Sequence, residues 1–215
     1  MAAGPGVRTV AGGGRSIALA SAIEREVAAG AKAIISFGVA GALTPALGPG
    51  SLIVASAVVC TAGSYPVHAG WTSALLRRLP NAISAELAGS DTVVADPIGK
   101  ARLHAQSGAI AVDMESHIAA SIAAEHGLPF AALRAIADPL ARTVPPAAAI
   151  ALRAEGGIDM LAMLRSLAHT PRQFPLLLRI AFDARKALGA LARGRRLLGD
   201  RLGYADFDEL LLHVI

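Results

Sequence analysis

The chain has 215 residues, of which 54% are apolar and only 4% are aromatic. This length suits one domain with a core of small side chains, and the composition excludes a disordered chain. The formal net charge of +4 is local, because the segment from Arg172 to Arg201 carries +6 and leaves −2 for the remainder.

The compartment is predicted from three features. No uninterrupted apolar run reaches the roughly 18 residues that a membrane span needs, and the N-terminus lacks the regions of a signal peptide. The single cysteine, Cys60, cannot form an internal disulfide and follows an apolar run, which favours a core residue over a nucleophile. We therefore expect a cytoplasmic protein.

Segments with strand and helix patterns alternate along the chain. The predicted elements are, in order, a strand at 7–10, a helix at 16–29, a strand at 32–37, a turn at 38–41, a strand at 52–59, a helix at 71–79, a strand at 92–94, a helix at 97–106, a strand at 109–112, a helix at 116–126 and a strand at 130–136. After residue 146 the pattern is helical to the end. The alternation predicts one domain over residues 1–215, a three-layer αβα sandwich with a central mixed, largely parallel sheet and a helical C-terminal segment.

The segment 171–201 reads as a basic amphipathic helix. Its predicted apolar face includes Leu177, Leu188 and Leu191, and its polar face includes Arg179 and Asp183. One interpretation packs the apolar face on the sheet and exposes the arginines. The other brings the helix to an anionic membrane surface. Nucleic-acid binding is disfavoured, because the rest of the chain is slightly acidic and poor in aromatic residues.

Glu115 stands between a predicted strand and a predicted helix and has two interpretations. A carboxylate can accept both hydroxyls of a ribose cis-diol, which would make Glu115 a sugar-binding residue. Alternatively, Glu115 and Asp113 only stabilise the start of the helix through its dipole. Position alone favours the second interpretation.

Asp138 precedes Pro139 at the end of the last predicted strand. Asp followed by Pro is typical of a helix start, with the aspartate as the N-cap. The functional alternative is a general acid that protonates N7 of a leaving purine, with a pKa raised by burial beside an apolar strand. Taken singly, Asp138 also favours the structural interpretation.

Other candidate motifs are weaker. The glycine turn 38–41 allows a ligand to approach the backbone, and Gly12-Gly13-Gly14 before a helix could bind an anion, but neither completes a phosphate-binding fingerprint. The six histidines show no metal-ligand spacing, so no metal is predicted. We expect most of them to be surface or capping residues.

The order of the motifs is more informative than any one of them. Five strings occur in succession: Ile35-Ser-Phe-Gly-Val-Ala-Gly-Ala-Leu43, Gly48-Pro-Gly-Ser-Leu-Ile-Val54, Gly89-Ser-Asp91, Ala111-Val-Asp-Met-Glu-Ser116 and Arg134-Ala-Ile-Ala-Asp138. This succession resembles the purine nucleoside phosphorylase / methylthioadenosine nucleosidase family over residues 7–140. The resemblance implies an enzyme that binds a small-molecule nucleoside and cleaves its N-glycosidic bond. It also implies a homo-oligomer that needs no cofactor.

The resemblance also assigns roles to residues. It implies that Glu115 holds the ribose hydroxyls, that Met114 packs on the sugar and that Asp138 acts on the purine N7. The base would lie between Ala40-Gly41 and Val93-Val94.

The string Asp113-Met-Glu-Ser-His117, the strand after Leu128-Pro129 and the tail 164–179 further resemble the hopanoid-associated phosphorylases. Their implied substrate is adenosylhopane, from which adenine is released. A lipid-linked nucleoside would also explain a basic helix that holds the protein at the inner face of the membrane.

Three departures from the family pattern bear on the reaction. The chain begins after the position of the family's first strand, which in nucleosidases carries a glutamate that activates water. Ser36 and Val39 stand where phosphorylases have phosphate-binding side chains, and Val93 replaces an aromatic residue that stacks on the base. Phosphate or water as acceptor therefore stays open. A plain methylthioadenosine/adenosylhomocysteine nucleosidase and a non-catalytic nucleoside-binding or membrane-peripheral protein remain alternatives.

Overall fold

The computed structural model describes residues 6–11, 16–142 and 174–204. The helices in these ranges are α1 (Ser16–Ala28), α2 (Ala69–Arg78), α3 (Pro97–Ser107), α4 (Ser116–Glu125) and α5 (Phe174–Leu198). The strands are β1 (Ile34–Ala42), β2 (Leu52–Cys60), β3 (Gly63–Pro66), β4 (Ile83–Gly89), β5 (Ala111–Asp113) and β6 (Phe130–Asp138). The first four helices agree with the predicted ones to within two residues at each end.

Local chemistry explains where α3 begins and ends. The Asp96 side chain accepts a hydrogen bond from the Gly99 amide at 2.9 Å, and Pro97 occupies the first turn, where its missing N–H costs nothing. Gly108 ends the helix in the left-handed region with a φ of 73°, a conformation that glycine adopts readily. These capping residues fix both ends of the helix that carries Lys100.

The six strands form one mixed sheet in the order β3-β2-β4-β5-β1-β6. A further pairing between β2 and β6 closes five of the strands into a ring. The pairs β1–β6, β2–β4 and β4–β5 are parallel, whereas β1–β5, β2–β3 and β2–β6 are antiparallel. The predicted mixed sheet is confirmed, although parallel pairs do not outnumber antiparallel ones.

Helices cover both faces of the sheet, as predicted for a three-layer sandwich. On one side α1 and α4 pack together, with Leu19 and Ile118 in the core against the sheet. On the other side α2 and α5 contribute Leu75 and Leu191 to a second cluster of buried residues. A smaller third cluster lies at the α3 edge of the sheet and includes Val112.

Several predicted boundaries were wrong. Residues 38–41 belong to β1 and do not form the predicted turn, because they continue the pairing with β6. Residues 7–10 and 92–94 are not strands, and β3 and β4 were not predicted. In β4 the residues before Leu87 are mostly exposed, so its sequence lacks the continuous apolar run that marks a buried strand.

The faces of α5 differ from the predicted ones. Ala187, Leu191 and Leu198 are buried against the sheet, but Leu188 is exposed and Asp183 is buried. A periodicity of 3.6 residues cannot anticipate a buried aspartate, because its burial depends on a partner from another element. None of the helices in the described part of the chain combines the length and apolarity needed to cross a bilayer. The glycines 12–14 and most of the predicted helical stretch after residue 146 lie outside the described residues.

Candidate active site

A buried ion pair joins β5 to β6. Arg134 Nε lies 2.5 Å from Asp113 Oδ2, and the two side chains are only 2% and 4% exposed. Arg134 also donates to the hydroxyls of Ser36, at 2.5 Å, and Ser116, at 2.9 Å. A buried charge is tolerated only when it is paired and hydrogen-bonded, and this network satisfies both conditions.

Asp113, rather than Glu115, caps helix α4. Its Oδ1 accepts hydrogen bonds from the amides of Glu115, at 2.8 Å, and Ser116, at 2.7 Å. The Glu115 side chain makes no capping hydrogen bond. The structural interpretation of this pair of carboxylates thus holds for Asp113, while the Glu115 carboxylate is left available for a ligand.

Glu115 is one of the residues that line a cavity. Its Oε2 lies 4.0 Å from Arg134 and the side chain is 36% exposed, so it is held near a cation but remains accessible. The cavity has a volume of about 880 Å³ and extends from Glu115 and Ser36 along β1 to Trp71 and Tyr204. An accessible carboxylate beside a guanidinium can accept hydrogen bonds from paired hydroxyl groups.

Asp138 is the last residue of β6 and not a helix N-cap within the described residues. The register between β1 and β6 shifts after Ala40, so that Gly41 pairs with Asp138 and Ala137 is bulged. A bulge redirects the side chain that follows it. Pro139–Arg142 then form a turn closed by a hydrogen bond of 3.0 Å from the Arg142 amide to the Pro139 carbonyl.

Lys100 from α3 contacts Asp138. The lysine side chain is 0% exposed, and its Nζ lies 2.6 Å from Asp138 Oδ2. It also donates to the carbonyl oxygens of Pro139, at 3.1 Å, and Arg142, at 3.2 Å. All three ammonium N–H groups are thereby used, which is what a fully buried lysine requires.

Burial raises the pKa of Asp138 above its ordinary value, and the hydrogen bond and charge of Lys100 oppose that rise without cancelling it. Arg142 acts in the same direction as Lys100, and Asp183 acts in the opposite direction. Because Asp138 is 28% exposed, it is also accessible from outside. A carboxyl group with a raised pKa and partial access is suited to proton transfer.

The turn after β6 is tied to α5 by an ion pair. Arg142 lies 2.6 Å from Asp183 Oδ2, and Asp183 is a buried residue of α5. The turn therefore has two anchors, Lys100 from α3 and Asp183 from α5. These contacts limit the freedom of the backbone that follows Asp138.

The other predicted contact residues fall into two groups. Gly41 faces Asp138, because a Cβ built there would lie 3.4 Å from Asp138 Oδ2 and 3.6 Å from Val112. Val94 packs against the cluster that contains Val112, so it belongs to the same neighbourhood, and Val93 precedes it in a non-strand segment. Ala40, in contrast, belongs to the core on the α1–α4 side of the sheet. Met114 is half-buried next to Glu115.

Sequence reasoning missed Lys100 and the partners of Arg134. An arginine within the apolar run Phe130–Ile136 is itself a signal, since a charge in a buried strand requires partners. Nothing comparable marks Lys100, because a lysine in a helix is most often solvated. Among the histidines, His68 does cap a helix, as its Nδ1 accepts from the Trp71 amide at 3.3 Å. Within the described ranges no cluster of His, Cys, Asp and Glu could hold a metal.

Comparisons with known proteins agree with this architecture. Similar solved structures include an S-adenosylhomocysteine nucleosidase from Streptococcus pyogenes, with a TM-score of 0.57 and 20% identity over 82% of this chain and 72% of that one. A 5'-methylthioadenosine/S-adenosylhomocysteine nucleosidase from Helicobacter pylori gives 0.56 and 17% over 83% and 75%. A futalosine hydrolase from the same organism gives 0.56 and 16% over 84% and 76%.

The chain covers only part of such structures, for example 66% of a related chain from Weissella paramesenteroides. No curated protein matches the sequence. The sequence model described as "Phosphorylase superfamily" matches residues 6–156, which is more than half of the chain. The protein therefore belongs to the phosphorylase superfamily.

Proposed function

We propose that the protein cleaves the N-glycosidic bond of an adenine nucleoside and releases adenine. Glu115 would bind the ribose hydroxyls, and Asp138 would protonate N7 of the leaving base. The observation that carries this proposal is the accessibility of two carboxylates, Glu115 beside Arg134 of β6 and Asp138 at the end of the same strand. Glu115 lies near Arg134. Asp138 stands at the bulge of β6, on the order of 13 Å from Arg134 along the extended strand.

The chemistry assigns different tasks to the two groups. As the bond between sugar and base breaks, positive charge develops on the ribose and negative charge on the purine. A proton given to N7 neutralises the base, and the raised pKa of Asp138 keeps that proton available. Glu115 holds the sugar hydroxyls and its negative charge lies on the side of the developing cation.

Water is the acceptor that the side chains favour over phosphate. The Ser36 hydroxyl is engaged with Arg134 and lies 3.1 Å from the Ser116 hydroxyl. Val39 has no hydrogen-bonding group in its side chain. A phosphate ion would need several donors, whereas Val39 supplies none and the Ser36 hydroxyl, which accepts from Arg134 and Ser116, has only its single O–H to offer. Adenine release measured with and without phosphate distinguishes the two acceptors.

Adenosylhopane, a lipid-linked nucleoside, is the proposed substrate, and an anionic membrane surface is the proposed partner. Helix α5 exposes Phe182, which is 60% accessible, and Leu178 beside it. Five basic residues are also exposed on this helix: Arg179, Arg185, Lys186, Arg193 and Arg196. Exposed apolar side chains flanked by cations suit the interface of an anionic bilayer. A soluble substrate such as methylthioadenosine would not require this surface and is the second candidate.

The test is adenine release from adenosylhopane and from methylthioadenosine, each with and without phosphate. We expect Asp138→Asn to reduce the rate about 10²–10⁴-fold, as for the loss of a general acid. Asp96→Asn is the matched control, because Asp96 caps α3 and asparagine is an equally good cap. Wild-type protein that releases no adenine from either compound would contradict the proposal.

Flotation with vesicles tests the proposed contact between α5 and an anionic membrane. Vesicles of phosphatidylcholine with phosphatidylserine should carry the protein upward, and pure phosphatidylcholine should not. Phe182→Ser combined with Lys186→Gln should weaken flotation, since both side chains are exposed. Equal flotation by wild type and this variant would rule out α5 as the contact surface.

A further inference from the structure

The Lys100 side chain is completely buried beside Asp138. A lysine that is completely buried is rare, because removing an ammonium ion from water is costly unless its charge is paired and its donors are used. Lys100 meets these conditions with Asp138 Oδ2 and with the two carbonyl oxygens of the following turn. It lies on α3, an element distant in sequence, so the fold has brought it to Asp138.

We propose that Lys100 is a positioning residue that holds Oδ2 of Asp138 and so fixes the orientation of this carboxyl group toward the leaving base. This inference rests on the proposed glycosidic cleavage. It adds a residue that none of the motifs contains.

In the proposed step a proton moves from Asp138 to the purine as the glycosidic bond breaks. The O–H bond of the protonated Asp138 carboxyl group breaks as N7 of the purine gains the proton. The electron pair of the bond between the ribose carbon and the base moves onto the purine. An oxygen of the acceptor bonds to that carbon, and a water acceptor releases one proton to the solvent. Asp138 is left as a carboxylate 2.6 Å from the ammonium of Lys100, which remains charged and stabilises the anion.

The charges around Asp138 support this role. The groups that act on it are Lys100 from α3, Arg142 from the turn and Asp183 from α5. Arg142 and Asp183 are paired with each other, so their charges largely offset. Gly41 of β1, the residue on the remaining side, is uncharged. Lys100 is therefore the cation that distinguishes this carboxyl group from one that is merely buried.

Three substitutions of Lys100 separate the effect of its charge on Asp138 from the effect of its hydrogen bonds. Lys100→Met removes both charge and donors, Lys100→Gln keeps a donor without the charge, and Lys100→Arg keeps the charge. Arg102→Met is the matched control, because Arg102 is an exposed cation two residues away on the same helix. If Lys100→Met does not fold, Lys100→Gln provides the same comparison of charge.

The first measurement is a titration of the Asp138 carboxyl carbon by NMR, assigned with Asp138→Asn. We expect the midpoint to rise by roughly one to three pH units when the charge of Lys100 is removed, because a nearby cation lowers a carboxyl pKa by about that amount. It should stay near the wild-type midpoint in Lys100→Arg and in Arg102→Met. An unchanged midpoint in a folded Lys100→Gln or Lys100→Met would overturn the proposal.

The second measurement is the pH dependence of kcat/KM for adenine release. In Lys100→Gln the high-pH limb of this profile should shift to higher pH together with the NMR midpoint. In Lys100→Arg it should stay at the wild-type pH. A change in kcat/KM without movement of the limb would show a structural role only and contradict the inference. Wild-type protein that releases no adenine contradicts the proposed function instead, and the NMR titration then still decides whether Lys100 controls Asp138.

Discussion

Arg134 and Asp113 form an ion pair of 2.5 Å that is almost completely shielded from water. The pair links β6, through Arg134, to the residue that caps α4, through Asp113. Glu115 lies between these two fixed points, two residues after Asp113 and 4.0 Å from Arg134. The position of the proposed ribose-binding carboxylate thus depends on a buried pair that does not itself need to contact a ligand.

We expect Arg134→Met to lower the free energy of unfolding by about 3–5 kcal/mol, because it leaves the Asp113 charge buried without its partner. Urea denaturation at neutral pH measures this loss. Arg77→Met is the control, since Arg77 is exposed on α2 and its loss should change stability by at most about 0.5 kcal/mol. Equal midpoints for the two variants would refute the buried-pair interpretation.

Gly38 should not tolerate a side chain. A Cβ at this position would collide with the Arg134 guanidinium, which the surrounding hydrogen bonds hold in place. Gly38→Ala should therefore cost about 1–3 kcal/mol, the range for overpacking a filled interior. Gly48→Ala should be close to neutral, because nothing lies within 4 Å of its Cβ position. Thermal unfolding of both variants makes the comparison.

Glu115→Gln should impair catalysis with little effect on stability, because its carboxylate makes no capping hydrogen bond. We expect the loss to depend on the sugar. Removing the 2'- or 3'-hydroxyl from the substrate should slow wild-type protein but have little added effect on the variant, since the same interaction is already lost. Additive losses in kcat/KM would mean that Glu115 does not bind these hydroxyls.

The raised pKa of Asp138 also predicts how its charge affects stability. Because the folded state binds this proton more tightly than the unfolded state, stability should fall as pH rises from the unfolded pKa through the folded pKa. Asp138→Asn does not titrate at this position. Its free energy of unfolding should therefore improve relative to wild type as pH increases through that window.

Denaturant titrations of both proteins between acidic and neutral pH give the difference directly. The opposite trend, with wild type gaining on the variant as pH rises, would mean that Lys100 dominates over burial. That result would indicate a depressed pKa and would argue against Asp138 as a proton donor.

Most elements were predictable from short-range patterns. The helices α1 to α4 have clear signals in their apolar spacing, in Pro97 and in Gly108. The β-branched run of β2 was equally clear. Gly38 was misread as a turn because glycine usually breaks a strand, whereas here its missing side chain makes room for Arg134 inside the sheet. A sequence pattern does not distinguish these two uses of glycine.

The sequence by itself determined the alternation of strands and helices, the resemblance carried by its motifs and the candidates Glu115 and Asp138. These depend on residue order and local periodicity, which a single strand or helix already expresses. The tertiary structure alone decided that Asp113 caps α4, that a bulge redirects Asp138, and that Lys100 meets it at 2.6 Å. The physical reason is that buried charges are fixed by partners from distant elements, and only the packed fold brings those partners together.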